Sequence, residues 1–310
     1  MRRARSVDVL AFTRALSQDE AAVTNDPEAL AALPFGLRNP ADARPLATVA
    51  AAVAMLLAPH FVGIPGPLAP LWIAMAIVLC CCCHVVVHNH THRPMFRNRA
   101  ANLGFNLVAS IARGHCVSDV FLPHNINHHR EQGGPGDWIS PAIAGKGHPA
   151  ARLFHFTYRA SWNMVSRRMA MGAAGRRMLP EPFRTSIRWE KKLLPVVTVV
   201  CLLHDWKTTL LFQGIPWAAS LAWLVAINLF QHDGCDPESE YAHSRNFVGA
   251  FTNWLFFNNG YHTVHHLHPG MHWMDAPTAH AQLAGHIPPG LNERSILRFF
   301  WRSYLAPRRS

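Results

Sequence analysis

The feature that most constrains this chain is a run of 48 residues, 45–92, that contains no Asp, Glu, Lys or Arg. A membrane-spanning helix needs about 20 apolar residues, and the run is far longer than any soluble core helix requires. It therefore predicts two spans, at residues 46–62 and 68–87. The helix breakers Gly63-Ile-Pro-Gly-Pro67 lie between them and predict the turn.

A second apolar region covers residues 193–231 and is interrupted by Asp205 and Lys207. It predicts another hairpin, with spans at 193–203 and 215–230, of which the first is short and contains Pro195. Only 15% of the residues are charged, against about 25% in an average soluble protein. We therefore expect an all-α integral membrane protein with about four transmembrane helices in two hairpins and a cytoplasmic, histidine-rich cap.

The basic residues are distributed unevenly over these segments. The first 44 residues hold six, residues 93–192 hold sixteen and the stretch after His232 holds six, so that Lys207 alone falls in a predicted outer turn. Because loops rich in Lys and Arg stay in the cytoplasm, this pattern predicts that both termini and the long middle loop are cytoplasmic. The net charge of +11 is thus explained by membrane topology, and nucleic-acid binding is disfavoured.

The same pattern suggests three parts. Residues 1–44 form a cytoplasmic segment without the apolar core of a signal peptide, residues 45–290 form the membrane domain, and residues 291–310 form a basic cytoplasmic tail. Four of the seven cysteines are consecutive, at 80–83, inside the first apolar run. Consecutive residues of a helix point in different directions, so we interpret these as reduced thiols buried in the membrane and not as a disulfide framework.

Histidines are concentrated in three clusters next to the predicted cytoplasmic ends of the spans. The chain has 21 histidines, more than its 18 Asp and Glu together. The clusters are His84-Val-Val-Val-His88-Asn-His90-Thr-His92, His124-Asn-Ile-Asn-His128-His129 and His262-Thr-Val-His265-His266-Leu-His268. A further histidine, His232, follows the last predicted span.

Residues three or four apart share one face of a helix, so each cluster can aim two or three imidazoles at one point. One zinc ion is satisfied by three or four ligands, whereas about nine histidines converge here, enough for two metal ions. Imidazole binds Fe, Zn, Cu and Ni, so the ligand type alone does not select the metal. By spacing, His90 and His268 point away from the ligand face, and His84 lies on it one turn deeper in the membrane.

With these clusters in place, the chain resembles the integral-membrane fatty acid desaturase superfamily, which includes related hydroxylases and ketolases. The resemblance rests on the boxes at 88–92, 124–129 and 262–266, on the 36 residues that separate His88 from His124, and on the order hairpin, two boxes, hairpin, box. It extends over roughly residues 44 to 275. The run 258–269 is similar to bacterial members, which favours a bacterial inner membrane.

The resemblance implies a cytoplasmic site with two iron ions, O2 as co-substrate, and electrons from a separate protein of the ferredoxin or cytochrome b5 type. It also implies a ligand at the end of the last span, where His232 stands, and an asparagine one turn earlier, where Asn228 stands. Carboxylates often orient ligating imidazoles, and Asp233 is the candidate here. The implied metal ligands are His88, His92, His124, His128, His129, His232, His262, His265 and His266, with His84, Asn228 and Asp233 as possible additional or orienting residues.

The leading hypothesis is therefore a desaturase that introduces a double bond into a fatty acyl or related lipid chain. Hydroxylation or ketolation of a lipid or carotenoid begins with the same hydrogen abstraction, so the boxes do not separate these reactions. A membrane metal transporter is a remote alternative, since its ionisable ligands would lie near the bilayer midplane. The basic loop, including Arg167, Arg168, Arg176 and Arg177, either docks an acidic electron donor or contacts anionic lipid.

Overall fold

The computed structural model describes residues 36–306 and is dominated by helices. The α-helices of five or more residues are α1 (Ala43–Leu57), α2 (Ala69–His92), α3 (Arg99–Arg113), α4 (Pro149–Met178), α5 (Phe183–Thr209), α6 (Ile215–His232), α7 (Ala250–Leu255), α8 (His262–Leu267), α9 (Ala276–Leu283) and α10 (Ile296–Phe300). Two short strands, β1 (Asn246–Phe247) and β2 (Asn292–Glu293), pair in parallel. Most of the segment predicted at 1–44, and the last four residues of the predicted tail, lie outside the described residues.

The described residues form two compact units. The span unit contains residues 36–121 and 173–224, and the box unit contains residues 122–172 and 225–306. The first histidine cluster belongs to the span unit, whereas His232 and the other two clusters belong to the box unit. Each unit is therefore assembled from segments that are distant in the sequence.

Within residues 36–306, three helical segments are long and apolar enough to cross a membrane: Pro40–His60, Gly66–His92 and Phe183–His232. The first two overlap the predicted spans 46–62 and 68–87, and the non-helical residues 63–65 lie within the predicted turn 63–67. The predicted third and fourth spans both fall inside the third segment. The all-α class is thus confirmed, and the count of four spans stays a prediction.

The third segment is 50 residues long, about 75 Å at 1.5 Å per residue, whereas the hydrocarbon core of a bilayer is about 30 Å thick. Its backbone breaks at Asp205, where φ is −156° and ψ is 99°. On either side of the break, the His204 ring reaches the carbonyl of His60 at 3.2 Å and the Gln213 amide reaches the His60 ring at 2.9 Å. Two residues nine positions apart thus contact the same histidine, which is the pattern that a hairpin turn produces.

Helix α5 begins ten residues before the predicted span at 193–203 because it includes charged residues that an apolar-run criterion rejects. Among them Glu190 is buried, and hydrogen bonds satisfy its carboxylate: Oε1 accepts from the Ser118 hydroxyl at 2.6 Å, and Oε2 accepts from the Ser118 amide at 3.0 Å and the Ser110 hydroxyl at 3.3 Å. A buried carboxyl group that is paired with hydrogen-bond donors is tolerated where an unsatisfied one is not. Hydropathy alone contains no information about that pairing.

In the span unit, α1 packs against α2 and α3, and α3 packs against α5. Leu56 of α1 and Cys80 of α2 are fully buried in one cluster, which Trp217 helps to cover. The indole of Trp72 donates to the Met55 carbonyl at 2.9 Å and ties α2 to the end of α1. The four consecutive cysteines are buried thiols, as expected for small apolar residues at a helix interface.

Candidate metal centre

The second histidine cluster lies on an unusual helical turn. Residues Phe121–His128 form a π-helix that continues into the short α-helical turn His129–Glu131. A π-helix brings residues i and i+5 together and is frequent at functional sites. Here it places the Nε2 atoms of His124 and His129 3.2 Å apart, although the spacing in the sequence pairs His124 with His128.

Four histidines of the box unit converge on one buried point: His128, His232, His262 and His266. One ring nitrogen of each lies within 4.8 Å of those of the other three. The Nε2 atom of His262 is 3.0 Å from that of His232 and 3.1 Å from that of His266. The π-helix, the end of α6 and helix α8 thus bring together residues that are up to 138 positions apart in the sequence.

The outward nitrogens of two of these rings have acceptors. Nδ1 of His128 lies 2.7 Å from the Asp137 carboxylate, and Nδ1 of His232 lies 3.1 Å from the carbonyl of His243. A carboxylate or a carbonyl accepts a hydrogen bond and has no hydrogen to donate, so each Nδ1 holds the hydrogen and each Nε2 directs a lone pair inward. Ligating histidines in metal sites are oriented in the same way.

The electrostatics of the cluster favour a neutral ring at His266. Burial, helped by the neighbouring imidazoles, lowers the pKa of His266 well below its ordinary value. Burial alone would raise the pKa of Asp137, but the facing His128 ring and the amides of Ile139 and Gly133 hold it below its usual range. An ionised carboxylate lies behind imidazoles whose Nε2 atoms approach to 3.0 and 3.1 Å. This donor set fits a divalent cation, since the inward lone pairs otherwise repel one another.

A second set of imidazoles lies beside the first in the box unit. Nε2 of His129 is 3.2 Å from that of His124 and 2.9 Å from that of His265. The rings of His129 and His266 have centroids 4.6 Å apart, so the two sets are neighbours. Of the nine predicted ligands, seven therefore lie together in this unit.

The other two predicted ligands, His88 and His92, belong to the span unit. They lie in the last two turns of α2, are both buried and have ring centroids 5.3 Å apart. The i, i+4 spacing thus places them on one face of the helix, as predicted. His90, between them, packs against Phe105 and accepts from the Met95 amide, in agreement with its predicted orientation off the ligand face.

His84, predicted as a possible additional or orienting residue, has other partners in the structure. Its Nδ1 accepts from the Arg113 guanidinium at 2.9 Å, and its Nε2 lies 3.2 Å from the Ser220 hydroxyl. An Arg guanidinium only donates, so it occupies the Nδ1 lone pair and the proton must reside on Nε2. Both ring nitrogens are thereby engaged, and the histidine packs inside the span unit instead of facing a metal.

Asp233 likewise differs from the expectation that it orients a ligating ring. Its two oxygens bind the Arg152 guanidinium at 2.9 Å and the Tyr304 hydroxyl at 3.1 Å. Adjacent residues of a helix point about 100° apart, so the neighbour of His232 cannot share its direction. Asp137 makes the contact that was expected of Asp233.

Asn228 lies at the cluster, as expected. Its side-chain nitrogen is 3.4 Å from Nε2 of His128. Its side-chain oxygen is buried and has no hydrogen-bond partner among residues 36–306. The amide therefore borders the point on which the four rings converge.

Two contributors had little or no signal in the sequence. Asp137 was one of several aspartates near the boxes, and no spacing rule links it to His128. The contact with His232 is made by the main-chain carbonyl of His243, so the identity of the His243 side chain does not predict it.

The turn before α8 requires a glycine at position 260. A Cβ at Gly260 would overlap the carbonyl of Phe247. The Phe247 amide donates to the Gly260 carbonyl at 2.8 Å and holds the two segments at this close distance.

Comparison with known proteins identifies the family of the chain. No curated protein matches the chain. A sequence model of the family described as fatty acid desaturase matches residues 64–296, most of the chain, and this range contains all three boxes and His232. The chain therefore belongs to the fatty acid desaturase family.

Proposed function

We propose that this protein is an O2-dependent desaturase that introduces a double bond into a fatty acyl or related lipid chain at a site with two iron ions. The observation that carries the proposal is the convergence of His128, His232, His262 and His266, which are buried and approach one another through their Nε2 atoms. A structural role would leave hydrogen bonds between these rings and other groups, not four nitrogens aimed at one point. Membership of the family supplies the substrate class.

We assign iron binding to the nine box and span histidines. His128, His232, His262 and His266 would bind one ion, and the others, His88, His92, His124, His129 and His265, would provide the remaining ligands. When bound, iron supplies the O2-dependent oxidation of an unactivated carbon–hydrogen bond, for which side-chain acid–base chemistry is too weak.

The residues around the rings perform the supporting tasks. Asp137 and the His243 carbonyl hold the protons on the outer nitrogens of His128 and His232, so the inner nitrogens keep their lone pairs for metal. The buried amide of Asn228 supplies a polar group beside His128. Burial of the four rings excludes bulk water from this side of the site.

We further propose an external electron donor of the ferredoxin or cytochrome b5 type, an inner-membrane location with the boxes in the cytoplasm, and four spans. The apolar segments Pro40–His60, Gly66–His92 and Phe183–His232 support membrane insertion. The break at Asp205 supports division of the third segment into two spans. The excess of Lys and Arg outside the predicted outer turns supports the orientation.

The test is mass spectrometry of total lipids from cells that express the chain, compared with cells that express His266→Ala at the same level. We expect acyl species that have lost two hydrogens only with the unaltered chain. Products that instead gain one oxygen would assign the protein to the hydroxylases, which share the site. Identical lipid profiles, in cells that supply a competent donor and contain iron-loaded protein, would refute the proposal.

A further inference from the structure

The long helix α4 has an exposed apolar face. Five side chains along it, Phe154, Tyr158, Trp162, Val165 and Met169, are between 43% and 77% exposed. Their spacing of four, four, three and four residues places them on one stripe of the helix, within an arc of about 80°. Contiguous exposed apolar surface of this kind marks a contact with a partner or a membrane.

The opposite face of α4 anchors the helix in the protein. Phe156 and Ala160 are fully buried, and at 100° per residue they lie on the side of the helix away from the stripe. The Asn163 side chain donates to the carbonyl of Trp138 at 3.0 Å. The buried face of α4 packs against the protein, so the stripe on the opposite face points away from it.

The charge of α4 is of one sign. Residues 149–178 include six arginines and no aspartate or glutamate. Arg159 and Arg168 flank the stripe, at about 100° and 80° from its centre. An arginine in such a position can cover apolar surface with its methylenes while its guanidinium reaches phosphate groups.

The end of the chain repeats this arrangement. Leu297, Trp301 and Leu305 are exposed at four-residue intervals, beside the exposed Arg298 and Arg302. The two stripes are linked by Asp233, because its carboxylate binds Arg152 at the start of α4 and Tyr304 at the end of the chain. The carboxylate of Asp233, which binds no histidine of the metal centre, thus connects the two amphipathic helices.

We propose that residues 149–171 of α4, together with the stripe at 297–305, lie in the headgroup layer of an anionic phospholipid bilayer. A bilayer offers an apolar slab below a layer of phosphates, which matches an apolar stripe flanked by arginines. An acidic electron donor would match the arginines but would leave five large apolar side chains against a charged surface. The stripe ends near Gly172, where a φ of 47° kinks the helix.

The test uses the full-length protein in nanodiscs of phosphatidylcholine, with or without phosphatidylglycerol, and a phospholipid with a photoreactive group high in its acyl chain. Trypsin releases residues 153–159 and 160–167 as separate peptides. We expect both to be crosslinked to lipid, about fivefold more in the anionic discs. The tryptic peptide that contains Gly66–His92 serves as the positive control, and the peptide 131–146, from the same unit as α4 residues 149–172, should remain unlabelled.

Variants separate the stripe from general membrane insertion. Tyr158→Asp with Trp162→Asp should remove at least about nine tenths of the crosslinking at 153–167, because two carboxylates oppose insertion next to anionic lipid, while the spans stay labelled. The matched variant Tyr158→Phe with Trp162→Phe should be labelled like the unaltered chain. If the spans are labelled but residues 153–167 are not crosslinked in either kind of disc, the proposal is overturned. If these residues become buried only when an acidic electron donor is added, the surface belongs to that protein instead. Equal labelling in both lipids would refute the anionic preference.

Discussion

Two aspartates show how little local sequence says about the role of a single carboxylate. Asp137 and Asp233 both lie near predicted ligands, yet Asp137 binds Nδ1 of His128 at 2.7 Å and Asp233 binds Arg152 and Tyr304. Asp137 is buried with its partner, whereas Asp233 and Arg152 are both partly exposed. The first contact bears on metal binding and the second on helix packing.

Asp137→Asn should reduce iron affinity and turnover by about 10- to 100-fold, because loss of the carboxylate weakens the orientation and basicity of a ligating imidazole. Elemental analysis and lipid turnover measure the two effects. Asp233→Asn is the matched control and should keep its iron while its melting temperature falls. If Asp233→Asn lost iron and Asp137→Asn did not, the assignment of roles would be reversed.

His232→Ala should lose iron as well as activity, since removal of a ligand leaves the ion incompletely coordinated and uncovers three converging rings. His148→Ala is the control, because His148 is exposed and its ring accepts a hydrogen bond from the nearby Ala150 amide. Both proteins are compared by iron content after purification. A His232→Ala protein that is active and fully loaded with iron would show that this ring only packs at the end of α6.

At the scale of elements, one glycine inside α3 and one at its end have opposite roles. Gly104 lies exposed inside the helix, and a Cβ there would meet nothing within 4 Å. Gly114 follows the helix with a φ of +71°, and a Cβ there would lie 2.5 Å from the Trp217 ring. Gly104 lowers the stability of the helix. Gly114 allows the left-handed backbone conformation that ends the helix, and its missing side chain leaves room for Trp217.

Gly104→Ala should therefore raise the free energy of unfolding by about 0.5–1 kcal/mol, because alanine loses less backbone entropy in a helix. Gly114→Ala should lower it by more than that, since it combines a strained backbone with a clash against Trp217, whose indole donates to the Ile111 carbonyl at 3.0 Å. Melting temperatures in one detergent compare the pair. Equal shifts for both variants would contradict this account of the end of α3.

At the scale of the whole molecule, the number of histidines sets the expected metal content. The box unit alone contains seven of the nine predicted ligands, more than the three or four protein ligands that one ion takes. Purified protein should contain about two iron ions per chain, and chelation should lower its melting temperature. Elemental analysis that finds a single zinc and no iron in folded protein would contradict the two-iron site.

Membrane orientation is tested with two exposed lysines. Lys146→Cys, in the box unit, should react with a membrane-impermeant thiol reagent only from the cytoplasmic side, and Lys207→Cys, beside the break at Asp205, only from the outside. Both side chains are exposed, so accessibility does not bias the comparison. Labelling from the outside at Lys146→Cys would invert the topology that the Lys and Arg distribution predicts.

The sequence by itself determined the helical membrane class, the first two candidate spans and the histidine clusters. These follow from properties that are local along the chain. A long run without charged residues must be buried, either in a bilayer or in a large protein core. The i, i+4 spacing places His88 and His92 on one face of their helix. Helix α5 was predicted too short for the same reason, because burial of Glu190 depends on Ser110 and Ser118, which lie more than 70 positions away.

Only the tertiary structure decided which groups support the cluster and which merely lie near it in sequence. The Asp137–His128 contact and the His243 carbonyl at His232 depend on how loops return to the π-helix and α6. His84 was on the ligand stripe by periodicity, but Arg113 and Ser220, from two other helices, occupy its nitrogens. Periodicity defines the direction of a side chain relative to its own helix, whereas the partner it meets depends on the packing of segments that are remote in sequence.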